Sequence, residues 1–132
     1  MQDLTLLAAI VATGLFFAMS AFQMALAAGA PFGDHVLGGR FPGTLPGRPR
    51  LFSGIAALLL LGLAVVVLAR AAVIGWPAGI AGVLGPASWV VPAFLVLNTL
   101  GNLASKSRLE RTAFAAITAV LAVLCGFVAL AA

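Results

Sequence analysis

Acidic side chains are nearly missing from this sequence: Asp3, Asp34 and Glu110 are the only three. All of them fall at the ends of apolar runs or between runs, and none lies inside one. Transporters that couple to protons generally rely on a carboxylate or histidine within the membrane, so that mechanism is not expected here. Histidine occurs once, as His35, and cysteine once, as Cys125. A lone cysteine excludes an intrachain disulfide and any metal site resting on thiolates. Because Cys125 sits in an apolar run, it is expected to pack as a small hydrophobe. No glycine-rich phosphate loop of recognised spacing is present. A hydrolytic centre would need Ser53 or Ser105 brought to His35, and the sequence adjacency of Asp34 does not by itself put the two side chains in contact. No catalytic residue, metal ligand or cofactor is assigned.

What the chain has instead is oil. Hydrophobic residues make up 64% of it and charged residues 8%, against roughly a quarter charged in soluble domains. A water-soluble chain of this size still exposes roughly a third of its unfolded area, too much to hide so apolar a composition. The bilayer is the natural solvent. The net charge of +4 sits in short segments between apolar runs and forms no continuous basic face, so membrane orientation accounts for it and nucleic acid is not an expected partner.

Four runs are long enough to cross a hydrocarbon core of roughly 30 Å. They cover about residues 4–28, 51–73, 87–105 and 111–131. The expected fold is a single all-α domain over residues 1–132, an antiparallel four-helix transmembrane bundle. No basic residue precedes the first run, so it is expected to remain as a helix and not to be a cleaved leader. Residues 29–50 repeat glycine and proline, which breaks helix and favours successive turns. The apolar residues among its charges suit a loop on the membrane surface or against the bundle. The second run carries no polar seam and is expected to face lipid most, with Arg70 snorkelling to headgroups. Trp76 and Trp89 mark residues 74–86 as an interfacial connection. Pro92 is expected near the start of the third helix, where proline is tolerated. Ser107 and Glu110 have the spacing of a reciprocal capping box at the start of the fourth.

Arg40, Arg48, Arg50, Lys106, Arg108 and Arg111 fall in two loops on one side, and Arg70 alone on the other. By the positive-inside rule the two basic loops are cytoplasmic and both termini lie outside. The densest polar stretch is residues 98–111. Asn98 and Asn102 lie four apart and share a helix face. With Gln23, Ser20 and Thr118 they are expected at similar depth, forming one polar layer in the cytoplasmic half. Unpartnered carboxamides in hydrocarbon are costly, so they should turn inward. Such a layer is either glue fixing helix register or a small polar pocket roofed by the glycine-rich loop and edged by His35, Arg40 and Lys106. The candidate ligand-binding residues are thus Gln23, Asn98, Asn102, His35, Arg40 and Lys106. Small residues recur four apart, as in Gly14/Ala18, Ala21/Ala25, Ala115/Ala119 and Ala122/Gly126, which lets helices approach closely.

Phe22-Gln23, the run from Gly29 through Pro31 to Gly33, Gly38-Gly39, Leu45-Pro46 and the stretch from Phe94 to Arg111 together resemble a group of small bacterial four-span membrane proteins without assigned function. The resemblance covers most of the chain. It implies the fold and a multi-pass place in a bacterial inner membrane, and it carries no activity. The expected function is a non-enzymatic binding or accessory subunit. Two alternatives stay open: a small-solute or lipid transporter acting as an oligomer, and a membrane-embedded enzyme using His35. Expected partners are the lipid bilayer and either a second copy or a larger membrane protein.

Overall fold

The computed structural model describes residues 1–132 and is all helix and turn. Helix α1 spans Gln2–Ala27, α2 Gly47–Arg70, α3 Ala81–Leu103 and α4 Ala115–Ala131. A short 3-10 turn precedes α3 at Ala78–Ile80, and a π-turn, Glu110–Phe114, leads into α4. Counted with the turns that lead into α3 and α4, all four helices are long and apolar enough to cross a membrane, as Gln2–Ala27, Gly47–Arg70, Ala78–Leu103 and Glu110–Ala131. A helix is the form such a run takes in lipid, because it satisfies its backbone groups without water.

Neighbouring helices run in opposite directions. Ser20 Oγ donates to the Ala57 carbonyl at 3.0 Å and Arg50 Nε to the Ala27 carbonyl at 3.1 Å, so α2 descends as α1 rises. Likewise Thr99 Oγ1 lies 2.8 Å from Thr118 Oγ1 across α3 and α4, while Phe22 of α1 meets Phe114 edge-on at 5.1 Å. Packing is closest within the α1–α2 and α3–α4 hairpins, weaker between α1 and α4, and weaker again between α2 and α3, with little contact across the α2–α4 diagonal. The helices therefore stand as a four-sided bundle with one loosely closed side.

The main core joins all four helices and is built on small residues where they approach: Ala9, Ala12 and Ala64 are fully or almost fully buried, around Phe16, Leu95 and Leu121. Of the small pairs singled out above, Gly14, Ala18 and Ala21 face outward. Spacing finds small residues but not the face that uses them. The least buried helix is α3, not α2.

Helix boundaries differ from the apolar runs at several ends. α1 stops at Ala27 because Gly29, at φ 106°, turns the chain, with Ala30 N donating to Ala25 O and Gly29 N to Leu26 O. α2 starts earlier than expected, at Gly47, with Pro49 in its first turn. It ends earlier as well, at Arg70, in the same type of turn made by Ala72 at φ 60°. α3 reaches back to Ala81, so Pro86 and Pro92 both lie inside it. Pro92 is thus an interior residue, buried in the α3–α4 contact beside Gly126. Arg70, expected to snorkel, donates its Nη2 to the Ala129 carbonyl at 3.1 Å, across the end of α4.

Candidate functional site

The loop of residues 28–46 is folded onto the bundle. Gly33 N donates to Gly43 O at 2.7 Å, and Asp34 Oδ1 accepts from Gly43 N at 2.9 Å. Gly33 must be glycine, since a Cβ there would run into the Phe41 and Gly43 carbonyls. The closed loop points Val36 and Leu45 inward onto Leu26, against Phe22, Phe41 and Phe114, which makes a second small core above the first. Phe32 stacks on Phe22 with ring centres 6.0 Å apart.

The loop is also pinned to the turn before α4. Glu110 accepts from Leu37 N at 3.2 Å and Gly38 N at 2.9 Å, and from Ser105 Oγ at 2.6 Å. Ser107 Oγ donates to the His35 carbonyl at 2.6 Å. Only half of the expected capping box forms. Ser107 Oγ accepts from Glu110 N at 3.4 Å, but the amide that Glu110 should take, Ser107 N, is held by Ser105 Oγ at 3.0 Å. The carboxylate is thereby released to hold the loop.

Beneath this roof lies a cleft of about 330 Å³, bounded by α1 behind, α2 and α3 at the sides, and Val36, Leu37 and Phe114 above. Eleven of its sixteen lining residues are hydrophobic; the polar five are Gln23, Ser53, Asn98, Asn102 and Glu110. The polar groups cluster toward the loop end: Gln23 is four residues and Asn98 five from the ends of their helices, roughly 6–8 Å deep. Met19, Leu60 and Phe94 line the deeper end. Phe52, Ile55, Leu59 and Asn98 line the cleft and are exposed as well, so it opens sideways through the loose α2–α3 face.

Gln23, Asn98 and Asn102 therefore share one cavity wall. Asn102 Nδ2 donates to Asn98 Oδ1 at 3.1 Å, which leaves the Asn98 nitrogen and the Asn102 oxygen free. Ser20 and Thr118 do not join them: Ser20 bonds to α2, and Thr118 pairs with Thr99 and with the Phe114 carbonyl at 2.9 Å. His35, Arg40 and Lys106, expected at the edge of the pocket, are absent from its wall and exposed. The loop folds with its apolar residues inward, which turns those charges out. Two lining residues, Ser53 and Glu110, were not expected. Ser53 is 5% exposed, and its hydroxyl takes part in none of the hydrogen bonds that tie the elements together.

The charge facing the cleft is consequently negative. Arg111, next to Glu110 in sequence, turns its Nη1 to the carbonyls of Ser105 and Lys106, at 3.2 and 3.0 Å. Ser105, one of the serines a His35-centred reaction would need, is committed to Glu110. No three His, Cys, Asp or Glu side chains come together. No protein-family model, curated protein or solved structure matches this chain.

Proposed function

We propose that this is a non-enzymatic multi-pass membrane protein that binds an amphiphilic ligand in the cleft between α2 and α3. One observation carries the reading: three carboxamides and the hydroxyl of Ser53, which no protein group engages, line a cavity whose remaining wall is largely apolar. Polar groups that served only as glue would be satisfied by one another across the helices, as Thr99 and Thr118 are. None of these is bonded across helices: Asn98 and Asn102 bond only to each other along α3.

The basic loops face the cytoplasm and both termini lie outside, on the charge asymmetry of Arg40, Arg48, Arg50, Lys106, Arg108 and Arg111 against Arg70. The cleft then opens to the cytoplasmic leaflet of a bacterial inner membrane, in keeping with the resemblance to small four-span proteins. A reporter active only in the cytoplasm, fused after Ala132, should be silent; activity there would reverse the orientation.

The test of binding is Gln23→Leu and Asn98→Leu, each purified in mild detergent. Retained helicity and thermal stability, with loss of co-purifying ligand by mass spectrometry, are expected. Unfolding in both variants would instead assign the amides to structure. An accessory role in a larger assembly is supported by the outward Gly14, Ala18 and Ala21 of α1, which would let another helix approach closely. A stable heteromeric complex after purification would favour it.

A further inference from the structure

We infer that the cleft selects a single-tailed amphiphile whose head is uncharged and carries hydroxyl or amide groups. This rests on the binding reading above and names the class of ligand.

The head-group end supplies donors and acceptors together. Gln23 offers both ends of its carboxamide, Ser53 a hydroxyl that gives and takes, Asn98 a free amide nitrogen and Asn102 a free amide oxygen. Hydroxyl and amide groups match such a mixed wall. An ammonium only donates: Glu110, its one anionic partner, already accepts from Leu37 N, Gly38 N and Ser105 Oγ, and the Asn98 and Gln23 nitrogens would be left without acceptors. A carboxylate or phosphate only accepts and would meet Glu110, the one charged side chain in the wall, with no lining cation to offset the repulsion. The nearby cations are directed elsewhere: Arg50 to the Ala27 carbonyl, Arg111 to the Ser105 and Lys106 carbonyls.

The tail end follows from shape. The cleft passes from these polar groups to Met19, Leu60 and Phe94 and opens sideways between helices of a membrane bundle. Its volume of about 330 Å³ is at the low end of the roughly 300–1,000 Å³ typical of ligand sites. That suits one chain better than two, and the side opening lets the chain extend into lipid.

The test uses full-length protein in amphipol, stripped of lipid, and reads retention of added monolauroylglycerol, laurate, dodecylammonium, dilauroylglycerol or glycerol by native mass spectrometry. Monolauroylglycerol should bind one molecule per chain, about tenfold or more tighter than any of the others. Gln23→Leu and Ser53→Ala should each weaken it about three- to tenfold, with circular dichroism and elution volume unchanged. Should either variant misfold, the weakening is read from the other and from Asn98→Leu. Equal or tighter binding of laurate or the ammonium compound, lost in the same variants, would overturn the head-group assignment and leave the site standing. Equal binding of dilauroylglycerol would overturn the single tail, and equal binding of glycerol would show that no tail is needed. Failure of the folded protein to bind any probe, or binding indifferent to all the variants, would remove the site itself.

Discussion

At the scale of single residues, Glu110 does most to shape the candidate site. Its carboxylate gathers two loop amides and the Ser105 hydroxyl, and the loop so held is the roof of the cleft. Bonds to a charged acceptor contribute more than neutral ones, though Glu110 is only partly buried and water competes. Glu110→Ala is expected to cost about 1–2 kcal/mol of stability and to speed hydrogen exchange at the Leu37 and Gly38 amides, while amides in the middle of α1 stay protected. Unchanged exchange at Leu37 and Gly38 would show that the apolar contacts of Val36 and Leu45 hold the loop without it. Sequence could mark Glu110 as a rare acid but assigned it to its own helix. Nothing in the spacing Ser107 to Glu110 shows that Ser105 occupies the amide Glu110 would otherwise take.

At the scale of elements, the four helices were legible because a long apolar run has few other ways to satisfy its backbone in lipid. Their ends were less so, because a turn is decided by one residue's backbone. Gly29 ends α1 with a conformation glycine adopts freely, and the sequence announces it. Ala72 ends α2 in the same left-handed region at φ 60°, and an alanine announces nothing. An L-residue there carries about 1–2 kcal/mol of strain, part of which glycine's greater freedom in the unfolded chain would offset. Ala72→Gly should therefore stabilise the protein by about 0.5–1 kcal/mol, seen as a higher midpoint of thermal unfolding in detergent. A lower midpoint would place the end of α2 in some other conformation. The carboxamides were legible as candidates because Gln23, Asn98 and Asn102 stand out against apolar neighbours; all three line the cleft, but Asn98 is also exposed at its α2–α3 opening. The positions of His35, Arg40 and Lys106 depend on how the glycine-rich loop closes, through Gly33 and the Gly43 amide, and periodicity does not describe that.

At the scale of the whole molecule, one bundle contains two kinds of packing. The α1–α2 side is closed by small residues in contact, Ala57 among them with no exposed surface. The α2–α3 side is left open over the cleft, where Ala56, one position along the same helix, lines empty space. The proposed binding role would use this difference: a tight hairpin to fix Gln23 and Ser53, and a loose seam through which a ligand would enter. Adding the same atoms to these adjacent alanines should then give opposite results. Ala57→Leu forces methylenes into a filled contact and should lower stability by about 1–3 kcal/mol or more. Ala56→Leu places them in the cleft, where they gain apolar contact without displacing a neighbour. Stability should be unchanged or higher, and ligand should be lost. Thermal unfolding of both variants, with and without monolauroylglycerol, separates the two: Ala56→Leu should unfold no earlier than the parent chain and gain nothing from the ligand. Equal destabilisation by the two substitutions would mean that the α2–α3 seam is packed as tightly as the rest, with no room beneath the loop for a ligand.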